Sequence, residues 1–217
     1  KLEKYIRREV GNSVKQIESY LGLQDFFNMG VHLPPMHDWP VSSDFALCVI
    51  DLLSNNDYDI VLEFGSGTST VLIARALEKL SPKRDANAGQ PVIQVAFEHL
   101  EEYYFKTLSN LKRVELDNAV YVVLAPLEPY TSPDGVQYSY YGCRDALSEI
   151  FETLHVEKPK ILVIVDGPPA ATGKWARYPA LPILLEVLPP SAVDILLDDY
   201  GREEEKEIAA QWQRDLK

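Results

Sequence analysis

Cysteine is nearly absent. Cys48 and Cys143 are the only two in 217 residues, so no disulfide framework holds a chain of this size. A reduced, cytoplasmic setting is the expectation. Cys48 lies in the apolar run 45–50, where a buried free thiol is expected. Positive charge is scarce as well: 21 Lys and Arg stand against 33 Asp and Glu, for a net charge of −12. Binding to a phosphate backbone needs a basic face, so nucleic acid is not an expected partner. Long hydrophobic runs are missing too. The longest, such as 161–165, fall far short of the ~20 residues that span a bilayer. No basic stretch leads into an apolar signal core at the start. What remains is a composition with 46% hydrophobic and 10% aromatic residues, ample for a full core and incompatible with disorder. The chain opens at Lys1 rather than at methionine and closes on a charged helical stretch at Lys217, as expected of a domain cut from a longer polypeptide.

Along the chain, Leu2, Ile6, Val10, Val14, Ile17 and Leu21 recur at helical spacing, with Lys4, Arg7, Arg8, Lys15 and Glu18 off the stripe. A helix over 2–21 is predicted, its stripe packed on the core or on a second copy of the chain. Pro34, Pro35 and Pro40 then impose an extended segment, and Ser43 or Asp44 is placed to cap a helix over 45–53. Short apolar runs follow at 60–64, 92–97, 120–124, 161–165 and 193–197. Helical patterns lie between them at 70–80, 102–111, 144–154 and 178–188. Buried strands alternating with helices specify an α/β fold with a doubly wound, mostly parallel sheet. Residues 81–90 read as a surface insertion and 128–142 as a tyrosine-rich loop. Residues 1–43 form an N-terminal helix and an extended lid segment, in which His37 and Trp39 are candidates to fold over a site. Residues 44–217 form the main domain.

In such a sheet, ligands bind beyond the carboxyl ends of the strands. The first end reads Glu63-Phe64-Gly65-Ser66-Gly67-Thr68-Ser69-Thr70. Gly65 and Gly67 permit a tight turn and close approach to the backbone, and the helix that follows offers unpaired N–H groups. Thr70 stands where a dinucleotide fingerprint needs its third glycine, which argues against an NAD(P)-dependent enzyme. Glu63 would repel a pyrophosphate but suits a cationic ligand group, directly or through water. The second strand ends Phe97-Glu98-His99, and an acid there accepts hydrogen bonds from both hydroxyls of an adenosine ribose. Glycine loop, Glu63 and Glu98 together resemble the first two motifs of class I S-adenosylmethionine-dependent methyltransferases over roughly 44–212. The resemblance implies a Rossmann-like fold with strand order 3-2-1-4-5-7-6, although nothing after the fifth run matches the usual final antiparallel hairpin, and Ser69 replaces a small glycine. It implies S-adenosylmethionine as cofactor, held by Glu63, Gly65, Ser66, Gly67, Thr68, Ser69, Glu98, His99, Leu127 and Asp166, with adenine against 125–128.

The fourth run ends in Asp166-Gly167-Pro168-Pro169 and the fifth in Asp198-Asp199-Tyr200. Neighbouring parallel strands bring these acids together. Asp166, Asp198 and Asp199 would either hold Mg²⁺, a hard ion that takes carboxylate oxygens, or supply a general base to an acceptor hydroxyl. The arrangement is similar to that of O-methyltransferases of the catechol and macrocin types, in which acids at these ends bind magnesium. Pro168 stands where the macrocin type carries a further acid. The Asp-Gly-Pro-Pro turn and Arg177-Tyr178-Pro179 resemble a branch encoded among polysaccharide and cell-surface glycan genes. Arg177 and Lys174 are candidates to hold an acidic or phosphorylated acceptor, and Tyr130, Tyr138, Tyr140 and Tyr141 either face a sugar or plug a loop. The expectation is an O-methyltransferase acting on a hydroxylated small molecule or glycan. Its rivals are a non-catalytic module that binds the cofactor and, with less support, an NAD(P)-dependent enzyme. The N-terminal helix is the candidate surface for a homo-oligomer.

Overall fold

The apolar runs become five parallel strands. A computed structural model of the protein describes residues 2–28, 41–85, 91–154, 156–188 and 191–216. In chain order the elements are α1 (Leu2–Phe27), α2 (Ser43–Asn55), β1 (Ile60–Phe64), α3 (Thr68–Asp85), β2 (Ile93–Glu98), α4 (Glu101–Arg113) and β3 (Val120–Leu124). They continue with β4 (Leu127–Thr131), β5 (Gln137–Tyr141), α5 (Arg144–Thr153), β6 (Lys160–Val165), α6 (Ala180–Val187), β7 (Ala192–Leu197) and α7 (Glu203–Asp215). The main sheet runs β3-β2-β1-β6-β7. Ile60 pairs with Ile93 on one side and Ile161 on the other, and every pairing in this sheet is parallel.

Both faces of the central strands are covered, which is why these strands are continuously apolar rather than alternating. Ile60, Leu62 and Phe64 face a core layer with Leu147 of α5, Ile183 of α6, and Ile208 and Trp212 of α7. Val61, Leu162 and Ile164 face the other layer, with Leu23 and Phe27 of α1, Val49 and Leu53 of α2, and Ile73 of α3.

Five expectations need correction. The tyrosine-rich segment is an antiparallel hairpin of β4 and β5, in which Tyr130 pairs with Tyr138. Tyr130, Tyr140 and Tyr141 are buried in the first core layer, where Tyr140 packs against Phe64. Cys48 is exposed, because α2 turns Ala46, Val49, Ile50 and Leu53 inward and leaves residue 48 on the outer face. The expected insertion begins as helix, since α3 continues to Asp85; residues 86–90 lie outside the described residues. The stripe of α1 does not pack on the core. The helix is anchored by Ser19, Leu23 and Phe27, while Leu2, Ile6, Val10, Val14, Ile17 and Leu21 are all exposed. Asp44, rather than capping α2, accepts hydrogen bonds from Lys15 (2.6 Å) and Gln16 (2.7 Å) and ties α2 to α1. The lid residues His37 and Trp39 lie outside the described residues.

Trp212 closes the first layer. It is 6% exposed, and its indole N–H donates to the Tyr178 carbonyl at 2.9 Å. Trp212→Ala leaves a cavity and an unpaired carbonyl, with an expected loss of about 3–5 kcal/mol in urea unfolding.

Candidate functional site

Parallel register sets every strand's carboxyl end on one rim, and backbone hydrogen bonds carry the alignment one residue past the strands. Ala125 N–H donates to Glu98 O (2.7 Å), Gly65 to Phe97 O (3.0 Å), Asp166 to Phe64 O (2.9 Å) and Asp198 to Val165 O (3.0 Å). Thus the glycine loop after β1, Glu98 at the end of β2, and the acids after β6 and β7 all stand on the same edge.

The loop is shaped by two glycines at positive φ, Gly65 at 112° and Gly67 at 149°. A side chain on Gly65 would press on the Asp166 carbonyl at 3.4 Å, so glycine there also lets the first loop reach the fourth strand end. At Gly67 the space a Cβ would enter is open. Ser66, Thr68 and Ser69 are half-buried around it, and α3 begins at Thr68 with its first N–H groups near the cradle.

Glu98 is buried, yet its carboxylate is richly hydrogen-bonded. Ser66 Oγ donates to Oε2 at 2.9 Å, and the His99 and Leu100 amides donate to Oε1 at 2.8 and 3.0 Å. The His99 ring lies 3.2 Å from the same oxygen. Burial alone would raise the pKa of Glu98; the bonds from His99, Leu100 and Ser66 outweigh it and hold the group below the ordinary glutamate value. It therefore stays ionised as an acceptor. Beside it, Leu127 opens β4 and packs partly on the core, next to Ala125 in the segment expected to meet an adenine.

Glu63 corrects the reading of a direct hold on a cationic ligand. It is 1% exposed and points beneath the loop, where Gln94 Nε2 donates to Oε1 at 2.9 Å and Thr70 Oγ1 lies 3.4 Å from Oε2. Gln94 also donates to the Thr70 carbonyl (2.9 Å), and Thr70 Oγ1 accepts from the Gly67 amide (3.1 Å). Glu63 therefore braces the cradle from below.

At the far side, one oxygen each from Asp166, Asp198 and Asp199 lies within 4.8 Å of the others. Asp199 holds a left-handed φ of 58°, and its amide donates to Asp198 Oδ1 at 2.7 Å. Burial, with Asp198 and Asp199 nearby, holds the Asp166 carboxyl well above the ordinary aspartate value, against the pull of Arg177. Arg177 is 4% exposed and reaches all three acid positions. It donates to Asp199 Oδ2 (3.0 Å), Asp166 Oδ1 (3.3 Å) and the Asp198 carbonyl (3.0 Å). It is thus committed to the acids instead of holding an acceptor's charge, a role that sequence spacing gave no sign of. Lys174 remains at the surface, over the Trp175 ring. Between β5 and residues 172–175 lies a cavity of about 400 Å³, lined among others by Asp134, Tyr138, Lys174 and Trp175.

The enclosure of Glu63 has a measurable consequence. Burial raises its pKa from 4.5 to about 7, with the hydrogen bonds from Gln94, Ser69 and Thr70 opposing the shift. A raised folded-state value makes the contribution to stability fullest below about 4.5 and lost as pH rises through about 7. Between pH 5 and pH 8, urea unfolding of the wild type should therefore fall by about 2 to 3 kcal/mol relative to Glu63→Gln. Parallel pH profiles for the two proteins would exclude this.

No protein-family model and no curated protein matches the chain. Solved structures do. An O-methyltransferase of Bacillus cereus in complex with S-adenosylhomocysteine is 18% identical, the match covering 93% of this chain and 78% of that one at a TM-score of 0.50. A Podospora anserina methyltransferase bound to S-adenosylhomocysteine is 14% identical over 92% of this chain and 79% of its own, at 0.52. An O-methyltransferase of Streptomyces achromogenes involved in tomaymycin synthesis, in complex with S-adenosylmethionine, is 14% identical over 92% and 76%, at 0.51. At such identities the likeness is one of fold: this chain has the Rossmann-like fold of these methyltransferases, and α1 stands at its N-terminal end.

Proposed function

We propose that the protein is an S-adenosylmethionine-dependent O-methyltransferase acting on a hydroxylated small molecule or glycan. The observation that carries this reading is the common rim. An ionised and hydrogen-bonded Glu98, an open glycine cradle, and a cluster of three carboxylates stand in that order across β2, β1, β6 and β7. The cradle fits the cofactor: the space beyond Gly67 is open, and Glu98 is acceptor-only beside it, as a ribose diol requires.

When bound, the cofactor supplies a methyl group on a sulfonium, and transfer forms an O–C bond as the C–S bond breaks. The chain's part is alignment and proton handling. Glu98 and the loop amides fix the donor, and the acids on the far side of the cradle receive the acceptor hydroxyl and its proton. Arg177 bridges Asp166 and Asp199 through one nitrogen, holding them at fixed spacing, and offsets part of their charge. The cavity beside Tyr138 and Trp175 lies on the same segment as Arg177 and offers an aromatic, polar-rimmed wall to an acceptor. The three carboxylate oxygens are a donor set that suits Mg²⁺, even with Arg177 and the half-exposed Arg202 beside them. Asp166, Asp198 and Asp199 would hold such an ion, whose contribution is to lower the charge on an acceptor oxygen.

Two measurements test the reading. In calorimetry, S-adenosylhomocysteine should bind the wild type, and Glu98→Ala should bind it more weakly by about 1.5–3 kcal/mol. Stabilisation by NADH instead of S-adenosylhomocysteine in a thermal-shift assay would replace the proposal with a dinucleotide enzyme. With a hydroxylated acceptor in hand, Asp166→Asn, Asp198→Asn and Asp199→Asn should keep donor binding while at least one loses on the order of 10²–10⁴ in rate. Loss of transfer in EDTA and its return with Mg²⁺ identifies the ion's role, whereas indifference to EDTA identifies a carboxylate base. Full activity in all three variants removes the acids from the mechanism.

A further inference from the structure

The face of α1 turned away from the protein body has the makings of an interface. Leu2, Ile6, Val10, Val14, Ile17 and Leu21 are between 48% and 73% exposed. At about 100° per residue they share an arc of about 120°, whose centre lies about 120° round the helix from that of the buried Ser19, Leu23 and Phe27. Scattered apolar side chains on a surface are ordinary, but six on one face along a 26-residue helix have the form of a contact surface. The stripe is also nearly symmetric end to end, with Leu2 and Ile6 at one end matched by Leu21 and Ile17 at the other.

We infer that the occupant is a second copy of this chain, with the two α1 helices packed antiparallel about a two-fold axis near Val10 and Val14. Leu2 then meets Leu21 of the second copy, and Ile6 meets Ile17, so the surface is its own complement. Charge agrees with this orientation. Arg7 and Glu18 are both exposed and lie on the same edge of the stripe. An antiparallel pair brings each Arg7 beside Glu18 of the other copy, twice per dimer. Within its own helix Arg7 reaches only Glu3, at 2.9 Å, a pair that is about 80% exposed on both sides and contributes little. The body favours the same orientation. It attaches to α1 through Lys15, Gln16, Ser19, Leu23 and Phe27, so antiparallel pairing sets the two bodies at opposite ends, whereas parallel pairing would crowd them side by side.

Sedimentation equilibrium across a dilution series tests this without reference to enzyme activity. The wild type should form a dimer, and Ile17→Asp should weaken it on the order of a hundredfold while circular dichroism stays unchanged, since residue 17 already faces solvent. Arg7→Glu should weaken the dimer by roughly tenfold through two new repulsions, and Arg7→Glu combined with Glu18→Arg should restore it. A monomer at every concentration overturns the inference, because some other surface then covers the stripe. A dimer unmoved by Ile17→Asp, or one weakened by Arg7→Glu but not rescued by the charge exchange, overturns it equally.

Discussion

Parallel register is the constraint on which the rest depends. Because Phe64 lies level with Phe97 on one side and Val165 on the other, and Val165 with Leu197, the chain has no choice about where its loops emerge. Four turns spread between residues 65 and 198 leave the sheet along one line, and the backbone bonds at Ala125, Gly65, Asp166 and Asp198 keep them there. Gly65 matters in this frame less as a flexible hinge than as a spacer. Without a side chain, it lets the first loop lie against the Asp166 carbonyl and so joins the cradle to the acids. Gly167 has a similar part on the next turn, since a side chain there would collide with the Tyr141 hydroxyl.

Charge at and beneath this rim is arranged in opposite ways on two neighbouring strands. Glu98 is buried but surrounded by donors, so it remains a carboxylate. Glu63, two residues before the loop, is buried with fewer and longer bonds, and burial wins. The contrast follows from where each side chain points. Glu98 ends its strand and meets the amides of the turn that follows, whereas Glu63 lies inside the sheet and meets only side chains. The acids after β6 and β7 form a third case, a surplus of negative charge partly met by one buried guanidinium. A chain with a net charge of −12 gathers three of its carboxylates at one point only against repulsion, and Arg177, joined by Arg202 at 2.8 Å from Asp199, makes the gathering tolerable.

Most of the sheet was legible because fully buried strands leave a strong mark. Runs at 60–64 and 120–124 match β1 and β3 at both ends, and the other three differ only at their edges. The hairpin was not, since its apolar content is tyrosine among serine, proline and glutamate, which reads as a loop. A period-2 signal was nevertheless there in Gln137-Tyr138-Ser139-Tyr140, following the turn Ser132-Pro133-Asp134-Gly135, where Gly135 takes a positive φ of 84°. Of the site, residue types at strand ends pointed to Glu98, Asp166, Asp198 and Asp199, because topology alone places them. Side-chain direction is another matter. Whether Glu63 faces the cradle or its underside, and whether Arg177 faces an acceptor or the acids, depends on strand parity and on packing from segments far along the chain.

The same limit explains α1. Its pattern specified a helix correctly, but an amphipathic stripe says only that something apolar must cover it. Two sets of residues on this helix meet that description, and the weaker one in the pattern, Leu23 and Phe27 near the end, is the one the body buries. The reason is local geometry: Leu23 and Phe27 share a core cluster with Val49 and Leu53 of α2, and the bonds from Lys15 and Gln16 to Asp44 tie the helix to α2 further back. Once the helix is held this way, the longer stripe must face outward. Residues 2–14 then have little contact with the body, and a helical stretch of that length is marginal in water on its own. Its order and the removal of its exposed aliphatic surface from water therefore call for the same remedy, a second apolar surface of matching length.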